Sequence, residues 1–233
     1  MLTIAFVTGT EPGKWFRRYE EFSGARLATL PSSDPFSLLA APDSAGADLA
    51  LMRLPDPRVG GEHHVVRLYE EAVGVAVPKD SVFAELGEEV RWSDLEGEHL
   101  NYAFSAGAAP AEAETELRSA LQVVAANVGI AVGPLPLLRA LSKKQVAALP
   151  LSAPPEVGAA AEVGLVWLKG RDADDIQDFV GVAKGRTARS SRGGGEERGR
   201  ATPGAQHAPG RAKARGNGHN RRSRNRKRGG SPR

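Results

Sequence analysis

Cysteine is absent from the 233-residue chain. This absence excludes disulfide bonds, catalytic thiols and thiolate metal sites, and it predicts a cytoplasmic compartment. Long hydrophobic runs are also absent, because no stretch approaches the roughly eighteen apolar residues that a membrane helix needs. The apolar run at residues 2–7 has neither a basic lead nor a small-residue cleavage pattern, so a signal peptide is not expected. We therefore expect a soluble intracellular protein that has no membrane partner.

Apolar side chains are missing from the end of the chain, where no Val, Ile, Leu, Met or aromatic residue follows Val182. Such a segment cannot bury enough apolar surface to offset its chain entropy, so residues 185–233 are predicted to form a disordered tail. The net charge changes sign at the same position in the sequence. Residues 1–183 hold 15 Lys and Arg against 26 Asp and Glu, a net of −11, whereas residues 184–233 hold 16 against 2, a net of +14. The sequence therefore describes an acidic body and a basic tail.

Short apolar segments alternate with amphipathic ones throughout the body. Strands are predicted at 2–7, 26–30, 48–54, 64–69, 71–78, 129–134 and 163–169. Helices are predicted at 10–24, 33–39, 111–126, 135–141 and 172–183, with Thr10, Ser33 and Asp172 in capping positions. Strands that alternate with helical crossovers form parallel sheets. The predicted fold class is therefore α/β with a parallel sheet.

The order of these segments resembles the effector-binding domain of LysR-type transcriptional regulators, which has a type 2 periplasmic-binding-protein fold with two lobes. The segments that carry the resemblance are LTIAFVTG, ADLALMR, YEEAVGVAVPKDSVF, WSDLEGEHLNY, VVAANVGIAVGP and EVGLVWLKGRDADDIQDFVGVAKGR. Together they span residues 2 to about 184. The resemblance implies a first lobe at about 1–72 and 163–184 and a second lobe at about 73–162.

Two features depart from the pattern of that family. The family places a winged helix-turn-helix domain before the opening strand, whereas only Met1 precedes that strand here. We therefore expect a chain without its own DNA-reading domain. The family also fits an extra strand and helix into the region that corresponds to residues 100–123, where this sequence has room for one helix. A shortened second lobe is expected.

Polar residues follow the first two predicted strands and open the helices behind them. Thr8, Gly9 and Thr10 follow the first strand, and Ser32 and Ser33 follow the second. Ligands of open parallel sheets bind beyond the carboxyl ends of the strands, where hydroxyls, backbone N–H groups and helix dipoles can converge on an anion. These positions match the loops that hold small anionic effectors in the family. The alternative is that these residues only cap helices.

Across the cleft, the resemblance points to Asn101, Tyr102 and Gly129 as further effector-binding residues. Asn101 and Tyr102 can donate hydrogen bonds to a ligand, or they are simply solvated. Arg53, at the end of its predicted strand, can pair with an anionic ligand or with a nearby Asp, and the acid is the expected partner.

No motif in the sequence supports catalysis, a cofactor or a metal. A nucleophile elbow, a Walker loop, a zinc-ligand pair and a dinucleotide fingerprint are all absent. His63 and His64 are neighbours in an extended segment, so their side chains point to opposite faces and cannot easily chelate one ion. We therefore expect neither catalytic nor metal-binding residues.

The basic tail is predicted to bind DNA or RNA through its cations. These are densest at Arg221, Arg222, Arg224, Arg226, Lys227 and Arg228. Binding is expected to be electrostatic and poorly selective, since no Phe or Tyr is interleaved to stack on bases. Two alternatives stay open. The tail can serve only to keep the protein soluble, or it can associate with the acidic body of the same or another protomer.

The leading hypothesis is a regulator-like, non-enzymatic protein that binds a small, anionic metabolite and attaches nonspecifically to nucleic acid. Side-by-side pairing into a homodimer through the first helix is implied by the resemblance. The competing hypothesis is a ligand-binding or protein-interaction module that has no direct role in transcription.

Overall fold

A computed structural model describes residues 1–39, 46–142, 144, 146–154 and 161–185. The predicted tail after residue 185, with its cluster of cations at 221–228, lies outside these residues. The strands are β1 (Leu2–Val7), β2 (Leu27–Ser32), β3 (Leu49–Leu54), β4 (His63–Glu70), β5 (Val73–Pro78), β6 (Val90–Arg91), β7 (Leu100–Ala103), β8 (Ile130–Pro134), β9 (Val146–Ser152) and β10 (Glu162–Leu168). The helices are α1 (Gly13–Ser23), α2 (Pro35–Leu39), α3 (Val82–Leu86), α4 (Pro110–Ala125), α5 (Leu135–Ser142) and α6 (Asp174–Ala183).

The first sheet has five strands in the order β2-β1-β3-β10-β4. β1 pairs in parallel with both β2 and β3, which confirms the parallel arrangement predicted for the opening strands. β10 pairs antiparallel with β3 and with β4, which the sequence analysis did not predict, so the sheet as a whole is mixed. The reason is that β10 enters the sheet on the return of the chain from the second sheet. We call this sheet, with α1, α2 and α6, the first lobe.

The second sheet also has five strands, in the order β6-β9-β5-β8-β7. β5 lies at its centre and pairs antiparallel with β8 and β9. The sequence analysis missed β9, because its Pro150 and its mixed burial hide the pattern of a strand. Between Leu100 and Val123 the chain forms β7 and most of α4. We call this sheet, with α3, α4 and α5, the second lobe.

Apolar side chains pack on both faces of each sheet. In the first lobe, one face holds Tyr19 of α1 and Phe179 of α6, and the other holds Phe36 of α2. In the second lobe, Leu117 of α4 and Leu138 of α5 pack on one face. In α1, Trp15 and Phe22 pack against the same cluster as Tyr19. The predicted α/β class with two lobes is therefore confirmed.

The chain crosses between the lobes twice, once between β4 and β5 and once between β9 and β10. The two crossings are hydrogen-bonded, because the backbone N–H of Glu71 donates to the carbonyl oxygen of Ala161 at 2.8 Å. At the first crossing, the N–H of Leu135 donates to the carbonyl oxygen of Ala72 at 2.8 Å. The second of these bonds holds the start of α5 against the first crossing.

The predicted helix caps differ from those observed. α1 begins after Pro12 rather than Thr10, and the Thr10 hydroxyl donates to the carbonyl oxygen of Val7 at 2.7 Å. α6 follows Ala173, whereas the Asp172 carboxylate accepts from the Trp167 indole N–H at 3.1 Å. The Thr10 side chain bonds outside α1, whereas the Asp172 carboxylate also accepts from the side-chain amide of Gln177 in α6 at 2.7 Å, without capping a backbone N–H of that helix.

Ser33 also does not take the capping position predicted for it. Before α2, the Asp34 carboxylate accepts from the N–H of Ser37 at 3.4 Å. The Ser32 hydroxyl oxygen accepts from the N–H of Asp34 at 3.0 Å, which forms a local turn. Ser33 is therefore left out of the hydrogen bonds that start α2.

The helices within the described residues are all too short or too polar to span a bilayer.

Candidate ligand site between the two lobes

A small cavity lies where the carboxyl ends of β1 and β3 face the second lobe. Its walls come from both lobes: Val7, Ser33, Met52, Arg53, Leu54 and Asp56 on one side, and Phe104, Ala106, Gly107 and Leu137 on the other. Its volume is about 30 Å³, which is roughly the share of liquid volume of one water molecule. At this cavity, side chains from the two lobes therefore leave room for little more than one water molecule.

Gly9, in the loop between β1 and α1, touches the second lobe directly. Its φ is +93°, and a Cβ atom at this position would lie 2.9 Å from the backbone N and Cα of Leu137. A side chain is excluded for both reasons, since L residues rarely adopt this φ and the neighbouring atoms belong to the backbone. The two lobes thus meet backbone to backbone at Gly9 and the first turn of α5.

Arg53 and Glu71 form a buried ion pair beside the cavity. The guanidinium Nε donates to Glu71 at 2.6 Å and Nη2 donates to the other carboxylate oxygen at 3.1 Å. Nη2 also donates to the carbonyl oxygen of Thr8 at 3.0 Å. The side chains are 11% and 0% exposed. Arg53 pairs with an acid, as expected, but the acid is a Glu at the first crossing and not an Asp.

One donor of Arg53 stays available at this site. Among the residues that the structure describes, its Nη1 has no hydrogen-bond partner, and Arg53 lines the cavity. Charge-assisted hydrogen bonds to a carboxylate are stronger than neutral ones. The pair with Glu71 already balances the charge, so this donor suits at most one negative charge on a ligand.

A second ion network lies at the mouth of the cavity. Arg58 donates to Asp34 at 2.8 Å and to Asp56 at 2.7 Å, and its guanidinium lies 4.6 Å from the centre of the Phe36 ring. Burial disfavours the charged form of Asp56, but the hydrogen bonds from Arg58 outweigh this effect and lower the pKa of Asp56. Asp56 therefore stays ionised and fixed at the wall of the cavity.

The predicted effector residues are not brought together. Ser33 lines the cavity, and Thr8 contributes its carbonyl oxygen to Arg53. Gly9 and Thr10 line a separate groove on the far side of the contact between Gly9 and Leu137. The side chain of Ser32 is used by the turn before α2.

Asn101, Tyr102 and Gly129 lie away from the cavity. The Asn101 amide donates to the carbonyl oxygen of Val128 at 2.6 Å, and a Cβ at Gly129 would lie 2.0 Å from the carbonyl oxygen of His99. These contacts are at the amino ends of β7 and β8, whereas the cavity is at their carboxyl ends. Through these contacts, Asn101 and Gly129 connect the end of α4 to the sheet.

Tyr102 packs against the apolar cluster beneath α4. Burial raises the pKa of Tyr102 to about 12, and the nearby Glu116 carboxylate adds to this effect. The residues of the second lobe that do face the cavity follow β7 instead, at Phe104, Ala106 and Gly107. The Ala- and Gly-rich composition of this loop was the only sequence signal that could have located them.

The two neighbouring histidines lie in different environments. His63 is buried, and its Nδ1 accepts from the N–H of Gly60 at 3.2 Å. His64 packs against Trp167, and its Nε2 lies 3.7 Å from Asp172. Within the described part of the chain, no group of three or more His, Asp or Glu side chains could hold a metal ion.

The two sheets, the two crossings and the cleft between them define the fold of the effector-binding domain of LysR-type regulators. This confirms the resemblance seen in the sequence at the level of the fold. No family model and no curated protein matches the chain.

Solved structures of OxyR and BenM share this fold. The BenM effector-binding domain with its effector benzoate is 15% identical over 82% of this chain and 93% of its own, with a TM-score of 0.55. A reduced form of OxyR from N. meningitidis is 15% identical over 78% of this chain and 93% of its own, with a TM-score of 0.54. A Corynebacterium glutamicum OxyR mutant is 19% identical over 78% of this chain, with a TM-score of 0.52, and this chain spans 61% of its length.

Proposed function

We propose that this chain is a regulator-like, non-enzymatic protein that binds a small effector between its two lobes. The observation that carries the proposal is the cavity at the carboxyl ends of β1 and β3, with walls from both lobes. In open α/β sheets, ligands bind at this end of the strands. The solved structures with this fold are LysR-type regulators, which supports the same function. The proposal places the protein in the cytoplasm, as a homodimer that pairs through α1.

The lining of the cavity favours a small monoanion that has an apolar body. Most of the wall is apolar, and the available donors are the Ser33 hydroxyl and Nη1 of Arg53. A second negative charge on the ligand would lack a partner, because Glu71 already neutralises Arg53. Benzoate, the effector named for the solved BenM domain, has this chemistry. We therefore propose a small carboxylate as the class of effector.

Such a molecule enters only when the lobes move apart. The cavity of about 30 Å³ is much smaller than the roughly 300–1,000 Å³ of typical ligand sites. The first crossing, at Glu71–Ala72, together with Ala161 directly before β10, can act as a hinge. The conformation described here is then the closed one.

The experiment is to measure the melting temperature of the full chain with a series of small carboxylates that includes benzoate. A ligand that binds only the folded state raises the melting temperature with concentration. We expect Ala106→Leu, which fills the cavity, to abolish this shift, and Ser33→Ala to reduce it. Ser105→Ala, exposed in the same loop as Ala106, is the matched control. The proposal fails if no carboxylate produces a shift, or if the shift survives Ala106→Leu.

The basic tail extends the proposal to DNA or RNA. Residues 184–233 hold 16 Lys and Arg against 2 Asp and Glu. If about eight of these cations meet phosphates, the slope of log K against log salt is about −7 on duplex DNA. Replacing the six cations at 221, 222, 224, 226, 227 and 228 with Gln should reduce this slope by about 5. Unchanged binding by this variant would leave solubility or association with the acidic body as the remaining roles of these cations.

A protein-interaction module is a second candidate, and the small size of the cavity favours it. A cleft that stays closed has a fixed surface made from both lobes, and such a surface can bind a partner without any effector. The melting experiment separates the two functions. A ligand-induced shift supports effector binding, whereas the absence of any shift supports the interaction module.

A further inference from the structure

A ligand-sized groove lies on the opposite side of the contact between Gly9 and Leu137. Val7 and Leu137 line the cavity described above, whereas Gly9 and Pro136 line this groove. Its volume is about 640 Å³, within the range of roughly 300–1,000 Å³ that is typical of small-molecule sites. We call it the α1–α5 groove, since it runs from Thr10–Trp15 of the first lobe to Pro136–Ala140 of the second.

The wall on the first lobe suits a cation. Trp15 and Tyr69 line it with their ring centres 6.3 Å apart, and Tyr69 is 40% exposed. Aromatic faces attract alkylammonium groups through their quadrupole. The exposed Glu11 carboxylate lies on the same wall. Thr10 adds an acceptor, because its hydroxyl gives its proton to the carbonyl oxygen of Val7.

The wall on the second lobe suits a carboxylate. Arg139, exposed on α5, lines this side of the groove beside Pro136 and Ala140. Neither Arg139 nor Glu11 forms an ion pair or a side-chain hydrogen bond with any residue that the structure describes. The groove therefore presents one negative and one positive side chain from opposite lobes, with no net charge.

We infer that the α1–α5 groove binds a small zwitterion, with its ammonium group at Glu11, Trp15 and Tyr69 and its carboxylate at Arg139. The apolar part of the ligand lies over Pro12 and Pro136. A net-neutral molecule that carries both charges satisfies both walls, whereas an anion or a cation leaves one wall unpaired. This site is separate from the cavity of the proposed function and shares none of its lining residues.

Three probes on one scaffold test the inference by calorimetry at low salt on the full-length Ala106→Leu variant, because its filled cavity keeps 3-phenylpropanoate, itself a small carboxylate, from binding there. Phenylalanine carries both charges, phenethylamine only the ammonium, and 3-phenylpropanoate only the carboxylate. We expect phenylalanine to bind tightest, by about tenfold, since each charge-assisted hydrogen bond contributes on the order of a tenfold change in affinity. Binding of 3-phenylpropanoate as tight as that of phenylalanine would overturn the inference, and so would the absence of binding by all three.

Single substitutions test which side chain binds the ammonium group and which binds the carboxylate of the ligand. Glu11→Gln should weaken phenylalanine and phenethylamine about tenfold and leave 3-phenylpropanoate unchanged. Arg139→Gln should weaken phenylalanine and 3-phenylpropanoate and leave phenethylamine unchanged. Glu88→Gln and Arg26→Gln, exposed outside the groove and outside α1, are matched controls and should leave all three unchanged. Equal effects of Glu11→Gln and Glu88→Gln would contradict the assignment.

A spectroscopic readout locates the site independently of affinity. The chain has three Trp residues, and only Trp15 lines the groove. Phenylalanine should shift the indole N–H resonance of Trp15 and leave those of Trp92 and Trp167 in place. This shift should persist in Ala106→Leu, so failure of the cavity and failure of the groove are distinguishable. An unshifted Trp15 resonance at saturating phenylalanine would exclude the groove.

Discussion

Different interactions stabilise the interior of each of the two lobes. In the first lobe, ion pairs join distant parts of the chain: Arg53 with Glu71, Arg58 with Asp34, Arg67 with Glu162, and Arg171 with Asp48. In the described part of the second lobe, the ion pairs are local, between Arg91 and Asp94 and between Arg118 and Glu114. The pair of Arg91 with Asp94 lies on the surface, where local pairs contribute little to stability. The second lobe therefore depends on its apolar clusters.

Because ion pairs are concentrated in the first lobe, the two walls of the cavity differ in chemistry. The first lobe supplies the fixed charges, because Arg53 is held by Glu71 and Asp56 by Arg58. The second lobe supplies mainly apolar surface from Phe104, Ala106 and Leu137. Moving the lobes apart would separate a polar wall from an apolar one without breaking these ion pairs. The predictions below test this division.

The largest expected effect is that of Arg53→Met. This substitution leaves the fully buried Glu71 side chain without its partner, and losing one member of a buried pair costs about 3–5 kcal/mol. Urea unfolding of the full chain measures this loss. The double variant with Glu71→Leu should recover most of the stability, because it removes the unpaired charge. A loss below about 1 kcal/mol for Arg53→Met would contradict the importance of the pair.

Leu138→Ala is expected to have the largest effect in the second lobe. The side chain of Leu138 is 0% exposed beneath α4 and the second sheet, so its removal leaves a cavity. Such substitutions cost about 2–5 kcal/mol, which urea unfolding detects. Leu86→Ala, at a position 66% exposed on α3, is the control and should change stability by less than about 0.5 kcal/mol. Similar losses for both variants would show that apolar packing does not hold this lobe.

The sequence predicts most of the fold because its apolar segments are continuous where strands are buried on both faces. β1 and β8 are of this kind, and their predicted bounds agree with the structure to within one residue. The sequence does not predict β9, whose alternation is interrupted by Pro150. It also could not reveal the antiparallel pairing of β10, because strand direction depends on the path of the chain through the second lobe.

The candidate site is predicted less well than the fold, for a physical reason. Polar residues after strands are recognisable, but the partners that use their hydrogen bonds are not. Thr10, Ser32 and Asn101 all bond to nearby backbone, which the residue types alone do not distinguish from binding a ligand. The apolar wall at Phe104 and Ala106 has no chemical signature in the sequence.

Acid should weaken the pair of Arg58 with Asp56 in the first lobe. Arg58 lowers the folded-state pKa of Asp56, so the stabilisation is fully present above the unfolded value of 3.8 and is lost as pH falls through the folded pKa. The melting temperature should therefore fall below about pH 4, by an amount that Asp56→Asn reduces. An unaltered acid transition in Asp56→Asn would contradict this source of stability.

The smallest expected effect is that of Arg91→Met in β6. The side chains of Arg91 and Asp94 are 73% and 42% exposed, so their pair lies on the surface. Double-mutant cycles give such exposed pairs about 0.2–1 kcal/mol. Urea unfolding should place this variant within about 1 kcal/mol of the parent. A loss above about 2 kcal/mol would mean that local charges also hold the second lobe.

The most direct test of the account is the distance between spin labels at Ser37 and Ser105, with and without the carboxylate that raises the melting temperature. The chain has no Cys, so substituting Cys at these two exposed positions places one label on each lobe. Without ligand, we expect one short distance that corresponds to the closed cleft. With ligand, the distance should lengthen, because a cavity of about 30 Å³ cannot hold a carboxylate without opening. An unchanged distance at a ligand concentration that stabilises the protein would show that the ligand binds elsewhere.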